Sequence, residues 1–165
     1  MKPLSLALLL VSFGAYAQSP PTCDTPDHRA FDSWIGEWVV HDTAGTYQGA
    51  NTIEPLENGC ILSEYWRGAK GSTGRSYNYY DRADSTWNQL WIDNSGNNLN
   101  LKGKASKDKM TLESKVVQGQ KGPYKNRITW TLRADGSVSQ QWDAVSLEGK
   151  QLATLFLGIY TKKKD

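Results

Sequence analysis

From Gly36 onward, apolar and polar residues alternate in short runs, and no stretch keeps a helical period. Alternation at period two is the mark of a strand with one face buried. The runs fall near residues 37–41, 48–54, 60–67, 75–81, 86–93, 98–103, 109–117, 126–132, 137–145 and 152–160. Turn chemistry separates them about every 8 to 12 residues, at Glu57-Asn58-Gly59, Arg82-Ala83-Asp84, Asn94-Ser95-Gly96, Ala134-Asp135-Gly136 and Leu147-Glu148-Gly149. The pattern predicts an all-β fold: a single antiparallel up-and-down barrel of about ten strands, closed so that no edge is exposed. A two-sheet sandwich is the other arrangement that would suit these strands.

Ahead of the first strand, Thr25-Pro26-Asp27 predicts a short helical turn. Thr25 suits the cap and Pro26 the first helical position. Phe31 and Trp34, three apart, would face the body of the protein. Gly36 lets the chain turn into the strand, and Trp38 would floor the closed end of the barrel.

The choice of strand phase decides which side chains point inward. The phase adopted here directs Glu64, Trp66, Asn78, Tyr80, Gln89 and Trp91 into the barrel, with Gln140 and Trp142 from a later strand. Strand 126–132 offers either Ile128 and Trp130 or Arg127 and Thr129. This interior is unusual, because it mixes tryptophan with amides and a carboxylate. A buried amide without a partner costs roughly 1–3 kcal/mol. Such an interior therefore needs an internal network, ordered water or a ligand. Aromatic walls with a few convergent polar groups are how small-molecule sites are built. The ligand-binding set expected is Trp38, Glu64, Trp66, Asn78, Tyr80, Gln89, Trp91, Arg127, Gln140 and Trp142. In the opposite phase the polar residues face solvent and the aromatics fill a solid core.

The N-terminus carries a different pattern. Lys2, an apolar run over residues 4–13 and Ala15-Tyr16-Ala17 form a signal peptide with its cleavage site. Residues 1–17 are read as that signal, 18–25 as a polar lead-in and 26–165 as the barrel. No run reaches the roughly 20 apolar residues of a membrane span. Export, to the periplasm or the extracellular space, is therefore expected. Two cysteines, Cys23 and Cys60, lie in the exported part. In an oxidising compartment they are expected to pair, tying the lead-in to the start of a strand; two free buried thiols are the alternative.

Charge and chemistry narrow the function. Nineteen basic residues face 17 acidic ones, a net charge of +2, which argues against nucleic acid as a partner. The only histidines are His28 and His41, and no metal-ligand set or cofactor motif is evident. Glu64 is the candidate acid or base: burial would raise its pKa, whereas a pairing with Arg127 would hold it ionised. The glycine-rich stretch 68–74 joins two strands and reads as a flexible loop at the barrel mouth. Lys162-Lys163-Lys164 reads as a solvated tail.

Several motifs together resemble a family of exported bacterial proteins known as a domain of unknown function. They are Phe31-Asp32-Ser33-Trp34-Ile35-Gly36-Glu37-Trp38, Gly59-Cys60 with Glu64-Tyr65-Trp66, Ser76-Tyr77-Asn78-Tyr79-Tyr80-Asp81, Trp87-Asn88-Gln89-Leu90-Trp91-Ile92-Asp93 and Gly158-Ile159-Tyr160. The resemblance implies a calycin-like β-barrel and is compatible with a Cys23–Cys60 pair. It implies no activity, substrate or catalytic residue. Gly36-x-Trp38 is similar to the opening of lipocalins and fatty-acid-binding proteins, where the tryptophan packs beneath a basic residue of the last strand. Here that strand ends Tyr160-Thr161-Lys162. In outline the barrel also resembles nitrobindin-type haem barrels, but no histidine falls late in the chain.

These readings converge on an exported barrel that binds an unknown, partly apolar small molecule. Two rivals stand beside it. One is an interaction or inhibitor protein with a filled barrel, acting through loops such as 68–74. The other is an isomerase- or cyclase-like enzyme using Glu64.

Overall fold

The computed structural model describes residues 23–164; the expected signal peptide and most of the lead-in lie outside that range. A four-residue helix, α1 (Pro26–Arg29), comes first. Thr25 caps it through Oγ1, which accepts from the His28 amide at 3.5 Å, and Pro26 opens it as expected. A 3₁₀ turn, Asp32–Trp34, leads into the strands.

Eleven strands follow: β1 (Gly36–His41), β2 (Tyr47–Leu56), β3 (Ile61–Gly68), β4 (Thr73–Asp81), β5 (Thr86–Asp93), β6 (Asn98–Ser106), β7 (Lys109–Ser114), β8 (Val117–Gly119), β9 (Gly122–Leu132), β10 (Val138–Val145) and β11 (Gln151–Lys162). Each pairs antiparallel with its neighbour, and β7 passes directly to β9. Pairing of β11 with β1 and of β9 with β10 closes a ring of ten strands, with β8 folded back on β9 outside the ring. The fold is thus a closed antiparallel barrel and not a sandwich. The expected strand 109–117 is divided: it stops at Ser114, and Val117 starts the β8–β9 hairpin. The reason is local, since the polar stretch Gln118-Gly119-Gln120-Lys121-Gly122 has no apolar alternation to announce a hairpin.

One end of the barrel is plugged from the N-terminal side. Phe31 stacks on Trp34 with ring centroids 4.8 Å apart, and both meet the Trp130 ring. Trp34 is fully buried, with Trp87, Met110 and Val138 in the same apolar cluster. At this end Trp38 lies against the plug: its indole donates to the Trp34 carbonyl at 2.8 Å. The Lys162 ammonium sits 4.0 Å from the centroid of the Trp38 ring, and it also donates to the Ile35 carbonyl. The expected solvated tail is therefore corrected in part. Lys162 belongs to β11 and covers Trp38, and Lys163 pairs with Glu37 at 2.8 Å. Cation–π attraction and a backbone acceptor hold an ammonium that composition alone assigns to water. Gly36 enters β1 at φ +131°, and a Cβ there would collide with that ammonium.

Cys23 and Cys60 form a disulfide with Cα atoms 5.0 Å apart. The bond fastens the segment before α1 to the start of β3. Among the described residues, no helix is long and apolar enough to cross a membrane. Closing a loop of this sequence separation, 37 residues, confers about 4 kcal/mol in the chain-entropy treatment. Replacing both cysteines with alanine should lower the unfolding free energy in urea by about 2–4 kcal/mol. A midpoint that does not move would mean that the link adds nothing to the plugged end.

Candidate functional site

Inward positions of the barrel form three levels. Nearest the plug they are apolar, with Ile53, Leu62, Trp87 and Trp130 buried. The middle level is polar, and its residues come from four consecutive strands. Asn51 on β2 donates to Glu64 Oε1 at 2.8 Å, and Ser76 on β4 donates to Glu64 Oε2 at 2.6 Å. Asn78 donates to Ser76 Oγ at 2.8 Å and to the Leu62 carbonyl at 3.1 Å. Gln89 on β5 donates to Asn78 Oδ1 at 2.8 Å. All five side chains are buried, at no more than 4% exposure. Register explains the ladder, because Glu64 lies opposite Ser76 and Asn78 lies opposite Gln89. From β11, the Tyr160 hydroxyl beside this network donates to Gln140 on β10.

Among the described residues, no cation lies beside Glu64. Burial pushes its pKa up to about 7, and the hydrogen bonds from Ser76 and Asn51 only moderate that rise. Burial and the neighbouring Glu64 charge push the Tyr160 phenol well above its ordinary value. Asn51 Oδ1 is buried and has no hydrogen-bond partner among the described residues.

The third level rings the open end, where Trp66, Trp91, Trp142 and Phe156 are only partly buried. Three of these rings take space that a Cβ would need. Trp66 atoms lie 2.7 Å and 2.8 Å from the Cβ position of Gly49, and Phe156 lies 2.7 Å from that of Gly158. The Trp91 ring overlies Gly74 more closely still. A glycine in the wall lets an aromatic ring lie against the backbone. Trp66 and Phe156 meet edge to face at 6.1 Å, and the Trp142 indole donates to Asn126 Oδ1 at 2.9 Å.

The expected site residues thus divide into groups. Glu64, Asn78 and Gln89 form one network. Trp66, Trp91 and Trp142 form the mouth, and Gln140 bonds Tyr160. Trp38 and Tyr80 lie at the opposite, plugged end, where Tyr80 meets the His28 ring at 5.0 Å. Arg127 is on the outer face of β9: it pairs with Glu113 at 2.6 Å and donates to the Gly149 carbonyl. The alternative in which Arg127 pairs with Glu64, and Arg127's place in the expected ligand-binding set, are therefore corrected. Asn126, Ile128 and Trp130 are the buried positions of that strand, and alternation puts Arg127 outside.

Asn51, Asn126, Phe156 and Tyr160 complete these levels without having been expected there. Their signal was weak but present. An asparagine in mid-strand is disfavoured unless its amide has work inside. Two clefts of about 250 and 260 Å³ flank the plug, the first lined by Phe31, Trp34, Met110 and Trp130 and the second by Asp27, Tyr80 and Trp87.

No family model and no curated protein matches this chain. What the structure shows of the resemblance is the barrel alone.

The Glu64 carboxyl makes stability depend on pH in a definite direction. Its pKa in the fold lies above the ordinary glutamate value of 4.5, so the folded chain holds the proton more tightly. This contribution is fully present below about pH 4.5 and is lost as pH rises to about 7. Urea unfolding of wild type and Glu64→Gln from pH 4.5 to 8 should show a difference that shifts by on the order of 3 kcal/mol against wild type. A constant difference across that range would show that Glu64 titrates as an exposed carboxyl does.

Proposed function

We propose that this exported barrel binds a small, partly apolar molecule at its open end. The observation that carries the reading is the aromatic ring at the mouth, with Trp66, Trp91 and Phe156 set against glycine positions of the wall. Partly exposed rings placed this way offer stacking area to a ligand. The polar level beneath them supplies orientation, from Glu64, Asn51 and Gln140. The set differs from the sequence expectation: Trp66, Trp91, Trp142 and Phe156 contact the ligand, while Trp38 and Tyr80 belong to the plug. The disulfide suits an exported protein.

A second reading has an observation of its own. On the outer wall, Tyr77 (50% exposed) lies opposite Leu90, and Ile92 (49% exposed) lies opposite Arg75. The Arg67 and Arg75 guanidinium groups sit 4.7 Å and 4.0 Å from the Tyr65 ring centroid. Tyrosine and arginine around exposed apolar side chains are the composition of protein interfaces. This wall, and not loop 68–74 alone, would carry an interaction or inhibitor role.

The neutral fluorophore N-phenyl-1-naphthylamine separates the two. It should bind wild type with enhanced emission and quench tryptophan, and Trp91→Ala should weaken its binding about tenfold, or about 1.4 kcal/mol. Tyr77→Ser should leave uptake unchanged. Uptake that survives Trp91→Ala but falls in Tyr77→Ser would transfer the binding surface to the outer wall.

A further inference from the structure

We infer that the ligand of this barrel is a small organic cation with N–H donors, a protonated amine whose ammonium group reaches Glu64 while its apolar part lies among the mouth aromatics. The inference rests on the reading that the mouth binds a small molecule, and it adds the chemical class.

The donor and acceptor inventory of the middle level points to a donor. Ser76 Oγ, both N–H groups of Asn78 Nδ2 and of Gln89 Nε2, and the Tyr160 hydroxyl are donated within the barrel, and Asn51 Nδ2 gives one N–H to Glu64. The acceptors are not used up. A carboxylate accepts about four hydrogen bonds, and Glu64 receives two, from Asn51 and Ser76. Asn51 Oδ1, fully buried, receives none among the described residues. A ligand carboxylate or phosphate would add acceptors to a level already rich in them and would meet Glu64 with like charge. A neutral hydroxyl would satisfy one lone pair. An ammonium offers up to three donors and the missing positive charge.

The mouth favours the same class. Indole and phenyl faces attract cations, and the attraction grows as water is removed. An amine entering past Trp66, Trp91, Trp142 and Phe156 would pass ring faces before meeting the carboxylate.

Protonation of Glu64 competes with such a ligand. The groups facing Glu64 are Asn51 from β2, Ser76 from β4 and Tyr160 from β11. Of these only Tyr160 titrates, and its phenol stays neutral through the physiological range. Binding of an ammonium should therefore strengthen with pH until Glu64 is ionised and should expel its proton.

The test is displacement of bound N-phenyl-1-naphthylamine by three probes of matched length: hexylammonium, hexanol and hexanoate. In wild type at pH 8, hexylammonium should compete at least about tenfold better than hexanol, and hexanoate worst. At pH 5.5 the ammonium should lose about tenfold and hexanol should be unchanged. In Glu64→Gln the ammonium preference should vanish while hexanol still competes. Wild-type pH dependence serves if that variant does not fold. Equal competition by ammonium and alcohol, a preference that survives in Glu64→Gln, or fluorophore displaced by none of the three would overturn the cation assignment and leave the binding reading intact. Failure of the neutral fluorophore itself to bind would overturn both.

Discussion

Glu64 lies buried inside a closed barrel with no cation in contact among the described residues, and the side chains around it answer to that condition. A carboxylate stripped of water without compensation carries a large cost. Asn51 and Ser76 meet part of it directly, and Asn78 and Gln89 hold Ser76 in place behind them. Four strands must keep their register for this to work. A slip of one residue in any of them would carry its amide or hydroxyl to the outer face. The polar level thus specifies the barrel as firmly as the apolar one does, through the cost of leaving its members unpaired.

The apolar levels on either side differ in purpose. Toward the plug, Phe31, Trp34, Trp87 and Trp130 pack ring on ring and are buried almost completely. Toward the mouth, the aromatics are partly exposed and lie against glycine positions. The same residue type is therefore packed ring on ring at one end and laid on wall glycines at the other. What decides is the neighbour: large side chains face the rings of the plug, and Gly49, Gly74 and Gly158 face those of the mouth.

Much of this was legible in the sequence. Turn residues and period-two alternation marked ten strands, and the inward set Glu64, Asn78, Gln89, Trp66 and Trp91 followed from phase. What stayed hidden was position along the strand axis. Alternation tells in from out but not top from bottom, so Trp38 and Tyr80 were grouped with residues at the far end. Arg127 was set in the ligand group although strand 126–132 offered two phases, and alternation alone did not choose between them; Glu113, across the β7–β9 pair, is its partner. Hairpin β8–β9 had no apolar pattern to reveal it. Lys162 read as tail because a run of lysines usually is, although the lipocalin resemblance set a basic residue of the last strand over Trp38; the β1–β11 register, pairing Trp38 with Lys162, brings the two together.

That register also fixes an order of events. The ring closes by joining its first strand to its last, and Trp38 finds its partner 124 positions later at Lys162. A chain made from its N-terminus cannot close until nearly every residue has been delivered. The disulfide needs only the first 60 residues. A looped, covalently fastened N-terminal piece can therefore exist while the barrel is still an open, unpaired sheet. Non-local closure of this kind is slow, and until it happens the free edges of β1 and of the last completed strand are available to other chains. The early crosslink shortens the part of the polypeptide that has still to find its place during that interval.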